Sequence, residues 1–441
     1  MTMSAVPDTF LVLAYDHPLR AVESVAERMA AGLSALGFRA LALTVPRDGA
    51  RLAEMAPEQV CGVLSLGPLP LTTPLGGRPL WEHFDACPVA TWLLDAPLYD
   101  LARVPAMRSF LAAAQRDPRL SLVSPESGYR DWLGAHLGVR WDLLPYAAFP
   151  RLEPGSTPVP AQARIAVIGT VGDELGGTPV GESLPDLLQR VAGRIARTER
   201  LAALHDALRA PDAHALPART VADVLGWDGA QALEREPLSA LIAIDSWVKR
   251  QRRIDAVRSL AGQPVDFFGS GWQQVLGDVP GFRHVGRVHH DRVALLMPHY
   301  RAVLNCDPNW QGGVHDRVYT AAAMGATCVT NTNTGLAAAG LPADLVVTYD
   351  ANRPRLAEQL DAMGLFSDAT HVNRPRADVL ARHNWSSRMA DWLAGSPVGA
   401  DGAPEDVAQT LTQTFSAAPA VRTTPLTIAP PKVANEPLVA A

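Results

Sequence analysis

Two glycines, Gly312 and Gly313, stand just before an alanine-rich segment whose first residues include His315 and Arg317. The first turn of an α-helix has backbone N–H groups without intrahelical acceptors and lies at the positive end of the helix dipole. A glycine-led helix start carrying an arginine is therefore a place for an anion. At about 100° per residue Arg317 and Thr320 share a face, while His315 lies round the turn in the direction of Tyr319. A diphosphate fits such a pole. The competing assignment makes His315 a cap or packing residue and pairs Arg317 with Asp316 or solvent, and spacing alone does not separate the two. A second turn, Gly269-Ser270-Gly271 after "VDFF", is of the type that lets backbone N–H groups approach a phosphate, although it would also serve as a plain strand-to-helix turn. It lacks the third glycine of the dinucleotide fingerprint, which disfavours a nicotinamide cofactor.

The elements that must hold these loops read as alternating strands and helices. "TFLVLAY" is an apolar strand, and Val22, Val25, Met29, Leu33 and Leu36 then recur at helical spacing up to Gly37. The runs "RALALTV", "VCGVLSL", "PVATWLL" and "RLSLVS", separated by helical stretches, predict a parallel α/β domain over 8–150. A Pro-, Gly- and Ser-rich linker is expected at 151–163. The strand "RIAVIGTVG" opens a second domain, with a helical insert over 164–261 whose longest periodic run is "LSALIAIDSWVKRQRRIDAVRSLAG". The strands "PVDFFG", "YRAVLN", "ATCVTN" and "DLVVTYD" place a second parallel sheet in 262–397, with "SSRMADWLAG" as a closing helix crossing back to the first domain. The tail 398–441, dense in Ala, Pro and Thr and low in aromatics, is expected to be disordered. Open parallel sheets bind ligands beyond the carboxyl ends of their strands, so function is expected in post-strand loops facing an interdomain cleft.

Bulk properties agree with a soluble two-domain protein. The chain has 441 residues and a net charge of −6, which gives no general attraction to nucleic acid or an anionic membrane. The basic run "KRQRR", residues 249–253, reads as one wet helix face rather than a nucleic-acid patch. Cys61, Cys87, Cys306 and Cys328 have no CxxC spacing, and His284, His289 and His290 have no metal-ligand spacing, so no metal, disulfide framework or other cofactor is expected. No export signal or membrane span is apparent, and a cytoplasmic location fits best. Trp92, Trp247 and Trp385 sit in apolar runs and read as core, whereas Trp310 and Trp272 stand beside the candidate loops as stacking residues.

The pattern G-x-H-x-R-V-Y-x-A-x-x-x-G-A, followed by a strand and "TNTNTGL", resembles the C-terminal domain of CgeB-like (spore-protein-type) glycosyltransferases of the GT-B fold. "VDFFGSGW", "HVGRVHHDRVALLMPHYRAVLNCDP" and "HNWSSR" agree in order, and "WLLDAPLYD" looks like a turn of a bacterial branch of these proteins. The resemblance spans about residues 85–390. It implies two Rossmann-like domains facing a cleft and a nucleotide sugar as substrate on the C-terminal one. The acceptor, whether a carbohydrate, a lipid-linked glycan or a protein, would approach from the N-terminal domain. Carried over by position, Gly269, Ser270, Gly271, Gly313, His315 and Arg317 would hold the diphosphate, with Arg287 as a third contact. Thr320 fills the position where many GT-B enzymes place a ribose-binding Glu, and a hydroxyl cannot grip two ribose hydroxyls as a carboxylate does. For an inverting transfer the expected base is Asp95, directly after a strand, with His17 and Asp16 as competitors. Asp95 could instead cap the turn before Pro97, and Asp16 the helix that follows it.

Two other classes stay open: a GT-B epimerase of sugar nucleotides, and a nucleotide-binding member without catalysis, suggested by Thr320. A pyridoxal-dependent phosphorylase is set aside, since Lys249 and Lys432 are the only lysines and neither is placed after a strand.

Overall fold

The computed structural model describes residues 8–149, 159–171, 181–195, 198–210, 216–307, 309–366 and 372–395. Most of the expected linker and the expected disordered tail lie outside the described residues.

Apolar, β-branched-rich segments bounded by turns form two six-stranded sheets, parallel throughout. The first has strands β1 (Thr9–Tyr15), β2 (Arg39–Val45), β3 (Val60–Leu66), β4 (Val89–Trp92), β5 (Leu120–Ser124) and β6 (Trp141–Leu143) in the order β2-β1-β3-β4-β5-β6. The second has β7 (Gln162–Ile168), β8 (Val265–Phe268), β9 (Phe282–Gly286), β10 (Tyr300–Asn305), β11 (Thr327–Asn331) and β12 (Val346–Tyr349) in the order β9-β8-β7-β10-β11-β12. Each order reverses direction at its first strand. That reversal leaves a crevice beyond the carboxyl ends of β1 and β3 in one sheet and of β7 and β10 in the other.

Strand alternation divides the core. Leu11 and Leu13 of β1 point into one apolar cluster, while Phe10, Val12 and Ala14 point into a second on the other face. The first cluster also holds the helical insert (Leu187, Val191, Leu241, Ile244), so the insert packs on the first domain. The second runs on through α1 (Ala21–Ala35) into the second domain at Val303, Val318 and Ala321. The far face of the second sheet has its own cluster with Ile165, Phe267, Leu304 and Val329.

Helix α2 (Pro97–Arg103) and α3 (Ser127–Leu137) belong to the first domain, and α4 (Arg235–Arg258) is the longest helix among the described residues. Its N-terminal half, Leu238 to Val248, lies in the first domain's core, and its C-terminal Ile254 and Val257 lie in the second's. One rigid rod of about 36 Å thus bridges both cores, and its middle residues fall at the junction. The sequence "KRQRR" occupies that middle. Among the described residues, no helix is long and apolar enough to cross a membrane.

Helices α5 (His290–Leu296), α6 (Asp316–Ala323) and α7 (Trp385–Gly395) complete the frame. The closing helix α7 crosses back onto α1, as its sequence position suggests. The Trp385 ring meets Trp92 edge-on at 5.7 Å, and Ser386 Oγ donates to Gly32 O at 3.1 Å. Glycine at position 32 permits that approach, because a Cβ there would lie 2.9 Å from the backbone carbon of Trp385. Gly32→Ala should therefore cost about 1–3 kcal/mol, read as a lower urea midpoint at unchanged m-value; an unchanged midpoint would show that the two helices have room to spare.

Candidate functional site

The crevices of both sheets open into one interdomain cavity of about 460 Å³. The first domain contributes His17 after β1 and Asp95 after β4. The second contributes Ile168 to Val171 after β7, Gly269 after β8, Asp307 and Trp310 after β10, and His315, Asp316 and Arg317 at the start of α6. Helix α4 adds Ser246, Lys249, Arg250 and Arg253, which recur at i, i+3, i+4 and i+7 and so form one stripe.

That stripe corrects the expectation of a wet helix face at "KRQRR". Lys249 is 9% exposed and Arg250 8% exposed, because the bridging helix carries them inward between two cores. A polar stripe at helical spacing was the available signal, and the run of like charges concealed it.

The floor of the cavity is an ionic network around Asp307. Its carboxylate accepts from Arg253 Nη2 at 3.2 Å and from Arg317 Nη2 at 3.4 Å. Arg253 also donates from Nε to Cys306 O at 2.9 Å, and Arg317 donates from Nη1 to Ile168 O. Burial pushes the Asp307 carboxyl up, but the opposing pull of His315, Arg317, Arg253 and Lys249 outweighs it and holds the group well below the usual carboxylate range. Asp316 follows the same logic. Burial raises it, while its contacts with His315 and with His290 Nε2, the latter at 3.3 Å, bring it well below its ordinary value. The chain His290, Asp316, His315, Arg317, Asp307, Arg253 thus runs without a break from α5 to α4, and His290 lines the cavity.

The imidazole of His315 is the N-cap of α6, with its Nδ1 turned to the Arg317 N–H at 3.4 Å, and its ring stacks on Tyr146 at 5.3 Å. Tyr146 stacks in turn on Trp310 at 5.6 Å and 18°, which makes one aromatic wall. Of the two tryptophans expected near the loops, Trp310 lines the cavity, whereas Trp272 is buried against Phe267 and donates to Gly169 O at 2.7 Å.

The glycine turn after β8 has a packing reason for its composition. A Cβ on Gly269 would lie 2.0 Å from Gly169 O, and one on Gly271 would lie 1.6 Å from Val171 O, because the chain leaving β7 runs directly over the turn. Gly269 lines the cavity. Ser270 meets the exposed Arg287 at 3.4 Å, and Ser270, Gly271 and Arg287 are not among its lining residues. Gly313 and Thr320 also lie off the lining. Gly313 packs on Pro125 and Trp310, and Thr320, 2% exposed, accepts the Phe149 N–H at 3.0 Å. The Thr320 hydroxyl thus faces the junction with the first domain, away from the cavity.

The three carboxyl or imidazole candidates on the first domain separate cleanly. Asp16 forms a surface pair with Arg47 at 3.6 Å and is not a lining residue. His17 Nδ1 accepts from Leu19 N at 3.2 Å and Ala21 N at 3.4 Å, so His17, not Asp16, caps the start of α1. That nitrogen is thus engaged by two backbone donors. Asp95 has a side chain 57% exposed, lines the cavity, and faces Lys249 Nζ at 3.7 Å.

Among the described lining residues, four cations (Lys249, Arg250, Arg253, Arg317) thus stand against three carboxylates (Asp95, Asp307, Asp316). A cavity of this kind favours a polyanion that can exchange with the internal carboxylates for the guanidinium groups.

Residues 249–394 match a family model described as glycosyl transferase-like. The match begins at Lys249 and takes in the C-terminal part of α4, most of the second sheet and α7. Among solved structures, the chain is similar to Anabaena HepE in complex with UDP and glucose (10% identity, TM-score 0.45, covering 92% of this chain and 99% of that one). It is also similar to AviGT4, a glycosyltransferase involved in avilamycin A biosynthesis (13%, 0.44, 92% and 98%). A sucrose-phosphate synthase from Thermosynechococcus elongatus is a third (12%, 0.41, 93% and 98%). No curated protein matches the chain. The chain itself has two facing domains, each built on a six-stranded parallel sheet.

Removing the central carboxylate should be costly. Asp307→Asn takes the counter-charge from two part-buried guanidinium groups, at about 1.5–3 kcal/mol. The folded-state pKa of Asp307 lies below its unfolded value of about 3.9. Its stabilisation is therefore complete above that value and is lost as pH falls below it toward the folded value. Unfolding free energy measured from pH 6 down should fall less steeply below about pH 4 in Asp307→Asn than in the wild type; parallel slopes would contradict the network.

Proposed function

We propose that the chain is a glycosyltransferase that moves a sugar from a nucleotide-sugar donor to a hydroxyl-bearing acceptor, without a metal ion. The observation that carries this reading is the convergence of Lys249, Arg250, Arg253 and Arg317 on a crevice formed at the switch points of both sheets. The family match over 249–394 supports it. Departure of a nucleoside diphosphate develops negative charge on the leaving oxygen, and pre-placed guanidinium and ammonium groups in a half-enclosed site stabilise that charge most effectively. Arg317 is among the diphosphate residues expected from the sequence, and Lys249, Arg250 and Arg253 join it.

For an inverting reaction Asp95 is the base. It is a carboxylate on the first domain, exposed to the cavity and 3.7 Å from Lys249 Nζ, on the side from which an acceptor hydroxyl would hand over its proton. Trp310 and His315 line the cavity beside these cations, and Tyr146 stacks behind both rings. The finer assignment to the CgeB-like branch and a cytoplasmic location belong to the same proposal.

One observation favours a second reading, nucleotide binding without transfer. Arg317 is already satisfied by Asp307, Ile168 O and His315, and Thr320 is withdrawn from the cavity. A single set of measurements separates the two. Nucleotide sugars are screened for thermal stabilisation, and the stabilising donor is then assayed for transfer or hydrolysis. A ligand that binds only the native state adds about 2.7 kcal/mol at a hundredfold excess over Kd. The transferase reading expects stabilisation, turnover, and a ten- to hundredfold weaker donor with Lys249→Met or Arg253→Gln, the worth of one charged hydrogen bond, about 1.5–3 kcal/mol. Stabilisation without turnover selects the second reading, and the absence of any nucleotide-dependent shift defeats both.

A further inference from the structure

The loop from β10 to α6 looks from its sequence like an anion site, and in the structure its amides hold an anion of the protein's own. Glu126, the residue before α3 in the first domain, is 3% exposed. Its Oε2 accepts from Tyr129 N at 2.8 Å, which caps α3. Its Oε1 reaches across the interface and accepts from Gln311 N at 3.0 Å and Gly312 N at 2.6 Å. One carboxylate therefore satisfies three backbone donors in two domains.

The surroundings are shaped for this contact. A Cβ on Gly312 would lie 1.9 Å from Ser127 Oγ, and one on Gly313 would lie 2.6 Å from Pro125 O, so the glycines let the second domain's loop seat against the first domain's turn. On the loop's other side, Asn309 Nδ2 donates to Asp245 Oδ2 of α4 at 2.5 Å, and Tyr99 OH donates to the same oxygen at 2.7 Å. Two buried carboxylates thus hold the loop from both sides. Between and just after the held residues come Trp310 and His315, and both line the cavity.

We propose that Glu126 is a positioning residue of this cavity: it fixes the loop so that Trp310 and the His315–Arg317 start of α6 stand at the cavity wall. Such a carboxylate touches no ligand and acts through the loop it holds. Its hold on the loop is a property of the fold, whereas its consequence for ligand binding rests on the reading of the cavity proposed above.

Two conservative substitutions divide the two duties of the side chain. Glu126→Asp keeps a carboxylate able to cap α3, since Asp is a favoured N-cap, but the side chain is one methylene too short for the loop amides. Glu126→Gln keeps the length and one acceptor oxygen for the loop, and its amide nitrogen faces the Tyr129 N–H, so the cap is lost. Amide hydrogen exchange and calorimetric titration with inorganic pyrophosphate are measured for wild type and both variants. In Glu126→Asp, exchange at Gln311 and Gly312 should rise while α3 keeps its protection, and pyrophosphate should bind about tenfold more weakly. In Glu126→Gln, the start of α3 should exchange faster while the loop and the pyrophosphate affinity stay near wild type.

Unchanged loop exchange in Glu126→Asp would overturn the proposal, as would faster loop exchange with unaltered pyrophosphate affinity. If pyrophosphate and nucleotide sugars fail to bind the wild type, the reading of the cavity fails, and the exchange data still decide whether Glu126 holds the loop.

Discussion

The arrangement turns on one buried carboxylate. Asp307 follows β10, at the point where the second sheet reverses its strand order, and it draws Arg253 from α4 and Arg317 from α6 onto a single pair of oxygens. Both guanidinium groups are part-buried at the cavity floor, and a shared carboxylate offsets much of the cost of drawing them out of water. The pairing explains how a chain of net charge −6 keeps a cluster of cations at the junction of its domains. It also keeps those cations in place while the cavity holds no other anion, so that a diphosphate would meet donors already oriented.

Bridging by α4 makes this possible. A helix shared by two hydrophobic cores fixes the distance between them, and the residues at the crossing point are the ones that face the gap. Lys249 spans to Asp95 on one side, and Arg253 to Asp307 on the other. Glu126 and Asp245 perform a similar service for the loop that carries Trp310. Beside the apolar cluster that runs between the domains, these polar contacts fix geometry more than they add stability.

Much of the frame was legible in the residues. Alternating apolar strands and periodic helices gave both parallel sheets, and Leu11 and Leu13 against Phe10 and Val12 show why period-two patterns work for a sheet covered on both faces. The strand Phe282–Gly286 is hard to see in the sequence because it is an edge strand, partly open to solvent, with Arg283 and His284 breaking the apolar run. The site was less legible, since its cations depend on where a helix crosses between domains and no local pattern encodes that. "KRQRR" carries the charge signature of a surface, and only the second core around Ile254 and Val257 turns it inward. Ser270 and Gly271 illustrate the reverse case. Their residue types suit a phosphate, but the backbone of Val171 already lies over Gly271 and neither residue lines the cavity.

The claim that a diphosphate sits among the α4 and α6 cations is tested most directly by a crystal structure of the protein soaked with its stabilising nucleotide sugar. The account predicts phosphate oxygens within hydrogen-bond distance of Lys249, Arg250, Arg253 or Arg317, with the sugar toward Asp95 and Trp310. A diphosphate bound elsewhere on the molecule, with the contacts of Asp307 to both arginines untouched and the cavity empty, would contradict it.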